Sequence, residues 1–279
     1  VDVLSELIGE RNTAHPGGIK AARSYLRDQL CKIGHEVIEQ TYSTTLREAV
    51  NLEVILRGSR PKARVLVVGA HYDSAAGTPG ADDNASAVAI LLEVARSLLP
   101  LRLKREVRLV FYDCEEPPHY HLGEMGSHEH ARSLRSRGER LLGMICLESL
   151  GYFPCSHRSH VAGPWYVRLL QRAAGNRGVV VVSDVRSIGF GFRFVWSFLV
   201  RGRFRFLPAA VPRRLLPVIE LSDHRSYWDQ GYPALMVTDT ALLRNPNYHR
   251  PTDRLETLNL ERMAQLCEAI TRTIAHLVR

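Results

Sequence analysis

Three segments place acids and imidazoles where they could hold a metal ion. In RVLVVGAHYDS, residues 64–74, His71 and Asp73 stand two positions apart at the end of an apolar run, so on a strand they share one face. A Gly/Pro loop leads to the adjacent acids Asp82 and Asp83. A second apolar run, Glu106–Asp113, ends in Glu115 and Glu116, and a third, Gly143–Leu147, ends in Glu148. Each group alone has an ordinary explanation: a satisfied core histidine, a helix cap, solvated loop acids. Together they are harder to dismiss, because carboxylates gathered at neighbouring strand exits repel one another unless cations hold them. Imidazoles and carboxylates without thiolates suit zinc, and less often manganese or cobalt; no CxxC occurs. A further imidazole is available from His249, in the turn-rich NPNYHRPTD before the last helical segment. His224, in LSDHRSYW, is a second candidate, but its place in a helical turn fits a structural role or one behind the ligands better. The spacing of His119, His121, His128 and His130 fits no compact site.

These groups need elements to position them. Gly18–Leu30 has helical periodicity and stops at Gly34. Glu36–Tyr42 and Ala49–Leu56 alternate as strands about a polar turn. After the strand that carries His71, a helix is expected from about Asn84 to Leu99, with Asp82–Asn84 capping it. A short helix to about Arg137 should follow the histidine-rich loop, with Gly138 as its stop. Pro164 should open a helix to Ala174, and Gly178–Val182 form a strand. The segment 183–212, where aromatics alternate with arginines and glycines, reads as long loops near a binding face. Leu216–Leu221 and Ala234–Thr238 read as short strands, and Asn259 caps a terminal helix with an apolar stripe from Met263 to Leu277. Strands alternating with helices imply an α/β fold, a single doubly wound domain over residues 1–279 with a mixed, mostly parallel central sheet flanked by helices. In such sheets ligands sit at the carboxyl ends of the strands, where these acids fall.

Composition narrows the class. With 279 residues and 45% apolar content the chain can bury a substantial core. No run approaches the ~20 apolar residues of a membrane span, and no leader sequence opens the chain. The formal charge is 37 − 29 = +8, but the basic residues are dispersed, and the densest patch, Arg201–Arg205 with Arg213 and Arg214, reads as solvated surface; no nucleic-acid partner is expected. Five irregularly spaced cysteines (Cys31, Cys114, Cys146, Cys155, Cys267) form no disulfide framework, which favours a reducing, cytoplasmic setting.

The succession HYD, GADDNASA, CEE, LES and YHRPTD resembles the co-catalytic di-zinc exopeptidases of metallopeptidase family 28, clan MH, across about residues 15–275. That family includes leucyl-type aminopeptidases, glutamate carboxypeptidase and glutaminyl cyclase. The resemblance implies two zinc ions bridged by Asp83, with His71 and Glu148 completing one shell and Glu116 and His249 the other. It implies that Glu115 is the general base, that Asp73 orients the His71 ring, and that Tyr248 donates a hydrogen bond to the carbonyl oxygen of a peptide substrate. Two departures stand out. Aminopeptidases of the family usually carry Asp where this chain has Glu148, and the stretch Pro117–Met125 is longer than usual. The expected activity is release of N-terminal residues. The rival readings are a carboxypeptidase or amidohydrolase on the same metals, a cyclase-like acyltransferase, or a non-catalytic binding module. A carboxypeptidase would need an arginine clamp, for which Arg193, Arg201, Arg203 and Arg205 are available. Glu115, Asp73 and Asp82, as acids uncommitted to a metal, would disfavour a substrate carboxylate.

Overall fold

A computed structural model describes residues 1–154, 178–215 and 217–279. Among the described residues eight strands form one sheet: β1 (Ile38–Ser43), β2 (Glu48–Leu56), β3 (Val65–His71), β4 (Val107–Tyr112), β5 (Leu141–Glu148), β6 (Val179–Ser183), β7 (Phe206–Ala210) and β8 (Ala234–Thr238). Their spatial order is β1-β2-β4-β3-β5-β8-β6-β7. The central four, β4-β3-β5-β8, are mutually parallel, and antiparallel pairs flank them on both sides. Continuous apolar runs such as Val65–Val68 are what a strand covered on both faces requires. Alternation then divides them: Leu66, Val68 and Ala70 point into one core, Val65 and Val67 into the other.

The helices are α1 (Pro16–Ile33), α2 (Ala87–Leu98), α3 (His119–Leu122), α4 (Gly126–Ser136), α5 (Ile188–Ser197), α6 (His224–Asp229), α7 (Ala241–Arg244) and α8 (Leu260–Val278). On one face α1, α2, α5 and α8 pack through Leu26, Leu91, Phe194 and Ile270; on the other, α4 and α6 pack through Leu134 and Tyr227. Gly34 ends α1 at φ 108°, a left-handed cap that glycine adopts without a Cβ clash. Asn259 caps α8, its Oδ1 accepting from Arg262 N at 3.0 Å.

Three expectations need correction. The segment 183–212 is not loop. It contains α5, a wide turn over Phe198–Gly202, and β7 paired in parallel with β6. Phe190, Phe194 and Phe198 form a buried ladder at helical spacing, but Phe192 and Trp196 stand exposed between them, so the segment is apolar all round and its period is hidden. Of the strand expected over Leu216–Leu221, Leu216 lies outside the described residues and Pro217–Glu220 forms a 3-10 turn instead. The helix after Asp83 begins only at Ala87, with an irregular turn over Ala81–Ser86 before it, and Asp82 does not cap it. The helix expected over Pro164–Ala174 lies outside the described residues. No helix among the described residues is long and apolar enough to cross a membrane.

Candidate active site

β3, β4 and β5 end side by side, and their exits deliver His71, Glu115 and Glu116, and Glu148 to one place. The turn over Ala81–Ser86 brings Asp83 beneath them, and the loop before α8 brings His249 across. His71 Nε2 lies 3.2 Å from Asp83 Oδ1 and 3.4 Å from Glu148 Oε2. His249 Nε2 lies 3.1 Å from Asp83 Oδ2 and 3.3 Å from Glu116 Oε2. The two oxygens of Asp83 therefore face two different histidines, and ligand atoms of His71–Asp83–Glu148 and of Asp83–Glu116–His249 each lie within 4.8 Å of one another. A third grouping, His71–Glu115–Glu116, also meets that limit, but Glu115 Oε2 stands 3.8 Å from His71 Nε2, farther than Asp83 or Glu148.

These side chains fit a metal. Asp83 Oδ1 and Glu116 Oε1 are buried with no hydrogen-bond partner, which is costly for an anionic oxygen unless a cation faces it. The donor set is imidazole and carboxylate with no thiolate, which suits zinc. Proton affinities reflect the crowding. Burial pushes Glu116 up to about 7, Asp83 adding to the rise while His249 opposes it. Burial also raises Glu115 well above the usual carboxylate range, with Glu116 and Glu148 adding and His71 opposing. Burial alone would lower His71, but Glu148, Glu115, Asp73 and Asp83 raise it well above normal.

Supporting groups hold this arrangement. Asp73 Oδ1 accepts from Glu115 N at 3.2 Å and lies 3.3 Å from His71 Nδ1, while its Oδ2 accepts from Glu116 N at 3.0 Å. One carboxylate thus holds the loop leaving β4 and lies beside the His71 ring. Ser222 and Ser149 hydroxyls donate to Glu148, at 2.6 and 3.1 Å. Tyr248 stacks on the His249 ring at 3.9 Å between centroids. His249 itself (φ 55°), Cys114 before Glu115 (φ 61°) and Ser149 after Glu148 (φ 45°) are non-glycine residues in the left-handed region, where each costs ~1–3 kcal/mol. Such conformations tend to persist where a site needs them.

Several supports escape a reading of motifs. Asp253 accepts from Asp82 N and Asp83 N at 3.0 and 3.1 Å; its only sequence signal is its place at the end of YHRPTD. Arg11, completely buried, donates to Tyr72 O at 2.8 Å and Gly80 O at 2.7 Å and so shapes the loop between His71 and Asp83. Gly80 is required there: its φ is +58°, and a Cβ would stand 2.3 Å from Asp83 O. Asn84 ties the turn to β5, donating to Leu147 O and accepting from Ser149 N.

Other expectations change. Asp82 and Asp73 belong to none of the candidate metal groupings, but both are occupied by hydrogen bonds. Asp82 accepts from Gly151 N and Asn245 Nδ2, both at 2.8 Å, and Asp73 is occupied as above. Arg193, Arg201, Arg203 and Arg205 are exposed and line no part of the cavity beside Glu148. His224 stays outside the cluster, its Nε2 2.6 Å from Ile219 O. His119 bonds Thr13 and Glu124, and His130 bonds Tyr227 and lies against Glu53. The four described cysteines are free.

Beside Glu148 and Tyr248 lies an apolar cavity walled by Val180, Val182, Ile219, Leu221 and Met236. The fold and this cluster of acids and imidazoles at its strand exits define a metallohydrolase-like centre. Residues 51–175 match the model of peptidase family M28. The YfbL protein of Escherichia coli K12 is 33% identical over 97% of this chain and 84% of its own length. The chain belongs to peptidase family M28. Among solved structures, BSAP, a zinc aminopeptidase from Bacillus subtilis, superposes with a TM-score of 0.76 at 14% identity, covering 100% of this chain and 93% of that one. A glutaminyl cyclase from Tannerella forsythia superposes at 0.68 and 18% identity, covering 98% and 93%. At such identities the likeness speaks for the fold alone.

Proposed function

We propose that the protein is a zinc-dependent aminopeptidase. The observation that carries this reading is Asp83, whose two oxygens face separate histidines, so that one carboxylate is shared by two ligand sets: His71 with Glu148, and Glu116 with His249. A pair of zinc ions bound there would polarise the scissile carbonyl and lower the pKa of an attacking water towards ~7. Glu115 takes the proton of that water at its carboxylate and returns it to the departing amine, a role open to it because neither metal needs it as a ligand. Burial beside Glu116 and Glu148 raises its proton affinity above that of an ordinary carboxylate, which helps it accept the proton. Asp73 keeps His71 Nδ1 and the Glu115 backbone in register. Tyr248, which lines the apolar cavity, donates a hydrogen bond from its hydroxyl to the substrate carbonyl oxygen.

The cavity would take the side chain of the terminal residue, and its valine, isoleucine, leucine and methionine walls favour an apolar one. The amine end is favoured because no arginine is among the described residues lining that cavity, whereas Glu148 is. A free amine finds an acid there, and a carboxylate finds no bidentate partner. The test compares dipeptides with apolar first residues. Acetylating the N-terminus should abolish cleavage and amidating the C-terminus should not. Activity should vanish on chelation and return with about two equivalents of zinc. Cleavage of the acetylated peptide alone would reassign the enzyme as a carboxypeptidase, and full activity in metal-free protein would remove the metal from the mechanism.

A further inference from the structure

The flank of the molecule built from α5, the turn after it and the edge strand β7 plays no part in the chemistry above, yet it breaks two rules of protein surfaces. Val185, Ile188, Phe192, Trp196, Leu199 and Val200 are exposed, with Phe192 at 69%, Trp196 at 66% and Leu199 at 60%. At ~100° per residue these six fall within one arc of about 120°. The opposite side of the same segment, Phe190, Phe194 and Phe198, fills the core. The apolar strip is therefore additional to what the fold needs. It continues into a shallow groove between Ile188, Phe192 and Val195 on the helix and Val181, Pro208 and Ala210 on the sheet.

The second anomaly is charge. From Val185 to Ile219 the chain has seven arginines, at positions 186, 193, 201, 203, 205, 213 and 214, and no aspartate or glutamate. Arg186, Arg193, Arg201 and Arg203 are exposed. On the helical projection Arg186 and Arg193 fall together at one border of the apolar arc, and Arg201 is exposed in the turn that follows the helix.

We propose that this flank docks on an anionic lipid surface. Exposed aromatic and aliphatic side chains beside arginines are the chemistry of an interfacial helix: the apolar strip enters the boundary between headgroups and acyl chains, and the guanidinium groups pair with lipid phosphates. Two other occupants fit less well. A second copy docking through the same face would set arginines against arginines with no acid in the segment to offset them. Strand addition to β7 is hampered by Pro208, at the middle of the strand, which has no N–H to donate. α5 lies on the α8 side of the sheet and the cavity beside Glu148 on the other, so a docked molecule keeps its cavity clear of the lipid. The inference does not depend on the proposed activity.

The experiment is co-sedimentation of the whole chain with vesicles of phosphatidylcholine alone and of phosphatidylcholine mixed with phosphatidylglycerol. Binding is expected only to the mixed vesicles, weakening as salt rises. The triple variant Phe192→Ser, Trp196→Ser, Leu199→Ser should lose it, and Arg193→Gln with Arg201→Gln should weaken it by more than about tenfold. Thermal melting followed by circular dichroism should show both variants folded; if the triple variant is unfolded, the arginine pair carries the test. Absence of binding to the mixed vesicles, or binding that neither variant weakens, overturns the proposal. So does a dimer in solution that the triple variant dissolves while the wild type ignores vesicles.

Discussion

At the exits of β3, β4 and β5 the chain takes carboxylates out of water, whereas along α5 and β7 it leaves phenylalanine and tryptophan in water and carries no acid at all. Asp83, Glu116 and Glu148 are buried together beside Glu115, with histidines and hydroxyls among their near neighbours. Phe192 and Trp196 stand out from a helix whose inner face already fills the core. Neither arrangement lowers the free energy of an isolated chain, since buried like charges and exposed apolar surface both cost. Each makes sense if something binds: cations in the first region, a lipid surface in the second. Places where a sequence departs from the rules of folding are where binding should be sought first.

Histidine gives the same contrast in miniature. His71 and His224 are both buried, yet the acids around His71 raise its proton affinity, whereas burial pulls His224 down to about 4, Arg213 adding to the fall while the Ile219 carbonyl and Asp184 oppose it. One belongs to a charge cluster; the other is kept neutral by packing.

The largest expected effect tests the division of labour in the cluster. Glu115→Gln should keep metal and fold but lower turnover by at least about 10²-fold, while Glu116→Gln should lose metal affinity as well. Metal content and kcat of the two variants decide it: equal metal loss in both would erase the distinction between base and ligand.

The next concerns His224. Its pKa falls from 6.5 unfolded to about 4 folded, so between those values the unfolded chain binds the extra proton. Stability is fully present above about pH 6.5 and is lost as pH falls towards 4, by up to roughly 3 kcal/mol from this residue. Denaturant unfolding across that range should show a shallower loss in His224→Gln than in the wild type. Parallel curves would mean that the ring is not held neutral.

The smallest effect lies beside the α5 flank. Removing the cap of α8 with Asn259→Ala should cost about 1 kcal/mol and lower the melting temperature, without changing kcat on a dipeptide. A fall in kcat at full folding would show that this side of the sheet is coupled to the site after all.

Much of the candidate site is legible in the chain because it lies where local pattern dictates. An apolar strand has to end, and His71, Glu115 and Glu148 sit at those ends, so a parallel sheet collects them whatever else the fold does. The α5 flank is illegible for the opposite reason: with phenylalanines on both sides, periodicity cannot say which face is inside.

The sequence alone determined the residue types at the cluster, the strands that carry them, and the family to which their order belongs, because those depend on neighbours a few positions away. Only the tertiary structure decided that Asp253 holds the backbone of Asp82 and Asp83, that Arg11 grips the loop before them, and that Asp82 answers to Gly151 and Asn245. Those contacts join positions far apart in the chain. A buried polar group takes whichever partner the packing brings within hydrogen-bond reach, and sequence distance does not encode that partner.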